Sequence, residues 1–222
     1  MQQKRMTLPA GVSQRDVGQL YDRLARAYDV WGRATESRAR ARSLEQADVR
    51  NGEHVLEVAV GTGLAFVEIV RRNPEGRNVG IDLSEGMLSR ACRRVRAAGY
   101  RNFELSVGSA LDIKEPDGSF DLVLNNYMFD LLDERDWPRV LDEFHRVLKP
   151  GGRLVLINMT FGETPGSGIY ERIYRFEPRL VGGCRGVQLA PVLERNGFAV
   201  LSREYFQQLW FPSEVILAGR RE

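Results

Sequence analysis

Cysteine and histidine are almost missing from this 222-residue chain, which has only Cys92, Cys184, His54 and His145. Two cysteines so far apart make no disulfide scaffold, so a reducing compartment, the cytoplasm, is expected. No cluster of metal-ligand type is present, and no metal is called for. His54 opens a strand and His145 sits within a helix, so both read as surface residues rather than as a catalytic pair. Lysine is scarce as well: apart from Lys4, Lys114 and Lys149 the basic side chains are arginines. The formal net charge is only +2, too mild to indicate a nucleic-acid partner. No apolar run approaches the ~18 residues that would span a bilayer. The opening MQQKRMTLPAGVSQRD has basic residues but no apolar core, so it does not read as a signal peptide. Contact with a membrane surface stays open without a transmembrane segment.

What is present is an ordinary globular composition, 43% hydrophobic and 28% charged, in a length that suits one well-cored domain. Residues 1–50 read as a charged helical cap in which Leu20, Leu24, Tyr28 and Trp31 share an apolar face. From His54 the rhythm changes. HVLEVAV is a short buried strand that ends at Gly61-Thr62-Gly63, and a helix follows over 64–72. RNVGID is a second strand, and the next helix has Ser84 as its N-cap. FELSVGSA and SFDLVLNNY read as strands three and four, ERDWPRVLDEFHRVL as a helix stopped by Lys149-Pro150-Gly151-Gly152, and RLVLINM as strand five. Strands alternating with helices predict a parallel sheet covered on both faces. Residues 159–197 form a looser lid or insertion ending in the short helix of VQLAPVLERNG, and 198–222 hold two closing strands, FAVLSREYF and SEVILAGRR.

The chemistry concentrates at HVLEVAVGTGLA. Gly61 and Gly63 at a strand-to-helix turn let the backbone approach a ligand, and the helix behind them aims its N–H groups at it. The dinucleotide spacing G-x-G-x-x-G/A fails from Gly61, where Phe66 takes the third small position, and from Ala59, where Leu64 does. Asp82 closes the second strand 25 residues after Glu57. A carboxylate at that tip can accept both hydrogen bonds of a ribose diol, and it can equally cap the helix beside Ser84.

Glu57-Val58-Ala59-Val60-Gly61-Thr62-Gly63 resembles motif I, (D/E)-x-G-x-G-x-G, of the class I S-adenosylmethionine-dependent methyltransferases, with Ala59 in place of the first glycine. Asp82, the VGSALDI and SFDLVLNNYMFDLL stretches and RVLKPGGRLVLIN follow in the family's order, so the resemblance covers roughly residues 52–158. It implies an α/β, Rossmann-like fold with a mostly parallel seven-stranded sheet in the order 3-2-1-4-5-7-6, and S-adenosylmethionine as cofactor. It implies that Glu57 supports the glycine loop and the cofactor's amino group, that Ala59, Gly61 and Gly63 admit methionine and ribose, and that Asp82, with Leu83 and Met87 beside it, takes the ribose. Ser109 stands where the family commonly has Asp or Asn against the adenine, which leaves the backbone of Ala110 and Leu111 to read that base. Asn125 and Asn126 are expected at the methionine pocket, and Tyr127 and Asp130 to contact the acceptor or relay its proton. Tyr21 and Tyr28 lie in a stretch similar to the Y-D-x-x-A-x-x-Y-D of the ubiquinone/menaquinone C-methyltransferase-like branch, where the helix lids the cofactor.

The acceptor implied is a small or lipid-like molecule, with a quinol carbon among the candidates. A phospholipid N-methyltransferase is the alternative within the family, since its bacterial phosphatidylethanolamine enzymes share the V-G-T-G-L loop. A binding protein without catalysis and a nucleotide-dependent oxidoreductase are the readings from other classes. In the lid, Phe161, Tyr170, Tyr174 and Phe176 could wall an acceptor site, with Arg172, Arg175, Arg179 and Arg185 holding an anionic head; a solvated basic helix face is the plainer reading. The oligomeric state stays open, a homodimer included.

Overall fold

A computed structural model describes residues 35–163, 168–176, 184–209 and 211–221. Its sheet has seven strands: β1 (His54–Val58), β2 (Arg77–Asp82), β3 (Glu104–Val107), β4 (Phe120–Asn126), β5 (Leu148–Met159), β6 (Phe198–Gln208) and β7 (Phe211–Arg220). Their order is β3-β2-β1-β4-β5-β7-β6, as the resemblance implied. β3, β2, β1, β4 and β5 are mutually parallel, and β7 is inserted antiparallel between β5 and β6. The strand order reverses between β1 and β4, which opens a crevice beyond their carboxyl ends.

Two-residue periodicity explains why both faces are covered. In β4, Leu122 and Leu124 point into one apolar cluster and Val123 into the other. The first cluster holds Ala39 and Leu44 of α1 (Ser37–Ala47) together with Phe66 and Ile69 of α2 (Phe66–Arg72). The second packs against Val140, Leu141 and Phe144 of α4 (Trp137–Val147). α3 (Glu85–Ala97) begins as the sequence predicts: Ser84 Oγ accepts the Met87 N–H at 3.1 Å. Two shorter helices follow β5, α5 (Gly168–Phe176) and α6 (Ala190–Arg195).

Several boundaries move. α2 starts at Phe66 rather than at residue 64 because the glycine turn runs on past Gly63. A 3-10 turn at Glu134–Asp136 precedes α4, whose Pro138 sits in the first turn, where a missing N–H costs nothing. The segment Lys149–Gly152 does not merely stop a helix; it lies within β5, which starts at Leu148. β3 keeps only four paired residues, since the chain leaves the sheet at Gly108 for the cleft.

Candidate functional site

The crevice at the β1/β4 reversal is built from strand tips. After Val58 the backbone turns left-handed at Ala59 (φ 59°) and again at Gly61 (φ 57°) and Gly63 (φ 79°). The turn is fastened to β2: the Val60 N–H donates to the Ile81 carbonyl at 3.1 Å, and the Gly61 N–H donates to Asp82 Oδ2 at 2.8 Å. Asp82 Oδ1 accepts the Ser84 N–H at 2.9 Å. One carboxylate therefore ties the glycine loop to the start of α3.

The resulting cleft is lined by Val58, Ala59 and Gly61 from the loop and by Asp82, Leu83, Ser84 and Met87 from the β2–α3 turn. Gly108, Ser109, Ala110 and Leu111 follow from beyond β3, and Asn126, Tyr127, Met128, Leu131 and Leu132 from beyond β4. Ten of the residues singled out from sequence meet here: Ala59, Gly61, Asp82, Leu83, Met87, Ser109, Ala110, Leu111, Asn126 and Tyr127. At Ser109 the hydroxyl accepts the Leu111 N–H at 3.2 Å, so its side chain shapes the turn.

Of the other expected residues, Glu57, Gly63, Asn125 and Asp130 do not line the cleft. A Cβ added at Gly63 would lie 2.9 Å from Ala91 Cα and Cβ, so this glycine lets α3 pack against the loop. At Gly61 a Cβ would meet nothing within 4 Å. Asn125 is fully buried and turned away from the cleft, with its Nδ2 donating to the Val58 carbonyl at 2.9 Å. Asp130 is buried behind the cleft wall, where its Oδ2 accepts the Met159 N–H at 3.4 Å. Tyr21 and Tyr28 lie outside the described residues, as does most of the 1–50 cap.

Glu57 is buried behind the loop. The Asn126 amide donates to its Oε1 at 3.0 Å, and among the described residues its Oε2 and Asn126 Oδ1 have no partner. Burial pushes the Glu57 carboxyl up to about 8, against the opposing pull of the Asn126 hydrogen bond. Burial also raises Asp130 to about 7, opposed by hydrogen bonds from the Met159 N–H and the Cys184 side chain. Tyr127 is the second non-glycine residue of the cleft with positive φ, at 54°, and its hydroxyl lies 3.0 Å from Ser213 Oγ on β7. Burial holds that phenol well above its ordinary range.

Sequence reasoning missed Met128, Leu131 and Leu132. They form one helical turn, closed by the Leu131 and Leu132 N–H groups on the Met128 carbonyl, and their three- and four-residue spacing was the signal available. It also missed Glu36, whose carboxyl burial raises to about 7 and which pairs with Arg40 at 3.8 Å. Arg185 is not on an exposed basic face: it is buried, its guanidinium lies 5.9 Å from the Trp137 ring centroid, and it donates to the Leu132 carbonyl. It thus props the loop after β4. Tyr170 and Tyr174 are buried as a wall would be, whereas Phe176 is 88% exposed.

A parallel sheet with an antiparallel strand inserted near one edge and a cleft at its β1/β4 switch point defines a Rossmann-like fold. The model of a methyltransferase domain matches residues 55–152. A demethylmenaquinone methyltransferase of Geobacillus stearothermophilus is 33% identical over 166 residues, covering 73% of this chain and 68% of that protein. Its counterpart in Symbiobacterium thermophilum is 35% identical over 147 residues, 64% of this chain but 58% of its own length. This chain therefore spans under two thirds of the first curated relatives it matches. Among solved structures, the [4+2]-cyclase SpnF superposes with a TM-score of 0.77 at 20% identity, covering 98% of this chain and 99% of that one. A geranyl diphosphate methyltransferase gives 0.66 at 18%, covering 83% and 77%. The chain belongs to the class I S-adenosylmethionine-dependent methyltransferase family.

Proposed function

We propose that this protein binds S-adenosylmethionine in the cleft and transfers its methyl group to a small, lipid-like acceptor, a quinol carbon being the first candidate. One observation carries the reading: the glycine turn, the β2 carboxylate and the tip of β4 share a single cleft whose far wall, Met128, Leu131 and Leu132, is apolar. The names of the relatives that share this sequence pattern support the quinol. The donor set suits the cofactor, because the partnerless Asn126 Oδ1 is an acceptor for an ammonium group, Glu57 Oε2 becomes one when that positive charge draws the proton off the carboxyl, and Asp82 is an acceptor for a diol. When bound, S-adenosylmethionine supplies a methyl group already activated on sulfur.

The protein's own task is alignment and proton handling. Asp82 and Gly61 fix the ribose end, the backbone of Ala110 and Leu111 reads the base, and Asn126 with Glu57 holds the amino group. A quinol carbon becomes nucleophilic when its hydroxyl loses a proton. After methyl transfer the hydrogen on that carbon leaves as a proton while the oxygen is reprotonated, so the ring regains its aromaticity and one proton is released per turnover. Asp130, raised to about 7, is matched to receive that proton near neutral pH, and Tyr127, which lines the cleft three residues before it, is the candidate for acceptor contact or relay.

The test is incubation with trideuteromethyl S-adenosylmethionine and a short-chain demethylated naphthoquinol, with phosphatidylethanolamine as the competing acceptor. The proposal expects a trideuteromethylated quinol by mass spectrometry, and a kcat about 100-fold lower for Asp130→Asn with cofactor affinity kept. The fold is shared with a protein named as a cyclase, so cofactor binding without any labelled product would replace methyl transfer by another chemistry or by binding alone.

A further inference from the structure

Large apolar side chains are exposed at only a few described positions, and two of them fall on the same end of the molecule. Phe176, at the last position of α5, is 88% exposed, and Leu209, in the β6–β7 turn, is 60% exposed with φ 57°. That turn lies at the carboxyl end of the parallel strands, because Ser213 just beyond it pairs with Met159 at the end of β5. α5 is docked beside it: the Tyr170 ring stands 5.3 Å from Phe211, edge to face. The inner side of α5, Tyr170 and Tyr174, belongs to the same apolar cluster as Tyr127, a wall of the cleft. The exposed pair thus borders the side from which an acceptor would approach.

Cations surround it. Arg172 and Arg175 are exposed on α5. Arg38 is exposed at the start of α1, and its backbone N–H donates to Gln208 Oε1 at 3.0 Å, next to Leu209. None of the three makes an ion pair with a described residue. Two nearby acids are already neutralised: Glu163 pairs with Arg203 at 2.6 Å, and Glu204 with Arg42 at 2.7 Å. An apolar tip ringed by unpaired arginines would be a poor neighbour for water and a good one for the headgroup region of an anionic bilayer, where aromatic and aliphatic tips insert and arginines meet phosphates. No described helix is long and apolar enough to cross a membrane, so such contact would be peripheral.

We infer that the rim formed by Phe176, Leu209, Arg38, Arg172 and Arg175 docks on an anionic lipid surface, from which the acceptor enters the cleft. The inference rests on the lipid-like acceptor proposed above and adds where that acceptor is collected.

Co-sedimentation of the full chain with vesicles of phosphatidylcholine alone, or with 40 mol% phosphatidylglycerol (about that fraction gives a strong negative surface), is the test. Binding is expected to the anionic vesicles only and to fall with salt. The double variant Arg172→Glu, Arg175→Glu should weaken it about thirtyfold, and Phe176→Ser with Leu209→Ser at least ~fivefold. Circular dichroism and S-adenosylmethionine titration of each variant report folding and the cleft independently of lipid. Equal binding to both vesicle types, or binding untouched by either double variant, overturns the inference. So does a dimer in sedimentation equilibrium that Phe176→Ser dissolves, since the rim would then be a self-contact. If vesicles bind nothing while the cofactor still binds, the docking idea falls and the function stands; loss of cofactor binding in the unmodified protein defeats the function itself.

Discussion

Replacing Glu57 by glutamine should change stability in a way that depends on pH. The carboxyl is fully enclosed behind the glycine loop, and burial raises it from an ordinary 4.5 to about 8. Its sign follows from linkage. Below about pH 4.5 both folded and unfolded chains hold the proton and nothing is lost. Above that, the unfolded chain ionises freely while the folded one must keep the proton, so stability falls as pH rises until the folded group also ionises near 8. The slope is about 1.4 kcal/mol per pH unit. Over the interval it amounts to at most about 5 kcal/mol, and on the order of 3 kcal/mol at pH 7. The amide introduced by Glu57→Gln would keep the hydrogen-bonding partner Asn126 and would not titrate. The difference in unfolding free energy between Glu57→Gln and the unmodified protein should therefore grow between pH 5 and 8, in favour of the variant. Asp130 and Glu36, raised to about 7 in both proteins, cancel in that difference. Urea unfolding at five pH values measures it. Parallel stability curves would refute the reasoning, because they would mean that Glu57 is not held neutral by burial. The same variant should bind S-adenosylmethionine less tightly at pH 8, where the carboxylate is available to an ammonium group.

Three further substitutions separate roles within the loop. Gly63→Ala should cost about 1–3 kcal/mol of stability, since its Cβ would lie 2.9 Å from Ala91 in a left-handed backbone; adding Ala91→Gly should recover part of that by thermal unfolding. Ala59→Gly should be neutral or stabilising by up to ~1 kcal/mol, because glycine removes the left-handed cost at φ 59° but loosens the unfolded chain; a loss of more than that would show that the Ala59 methyl is packed. Asp82→Ala should weaken cofactor binding by ~1–3 kcal/mol in calorimetry and also lower stability, since the Gly61 and Ser84 N–H groups lose their acceptor.

The sheet order was legible because five motifs came in the order of the family that the sequence resembles, and β1, β2 and β4 read clearly because they are short and largely apolar. Boundaries slipped where local rules compete, as at Lys149–Gly152, which chain chemistry reads as a stop and pairing draws into β5. Most of the expected residues share one cleft because strand tips in an open parallel sheet face one crevice. Gly63 and Asn125 show the limit. A glycine beside a ligand loop and a glycine beside a packed helix look alike in sequence, and so do two adjacent asparagines that alternate across a sheet. The buried arginine at position 185 was unreadable for the same reason: only the fold brings Leu132 and Trp137 to its guanidinium.

Whether the β1/β4 cleft holds S-adenosylmethionine is decided by calorimetric titration of the unmodified chain and of Gly61→Arg, with S-adenosylhomocysteine and NAD as comparisons. Binding of the two sulfur compounds is expected, none of NAD, and loss of both on Gly61→Arg, whose side chain would fill a position open for at least 4 Å. Unchanged affinity in Gly61→Arg, or no affinity in the unmodified protein, would contradict that assignment.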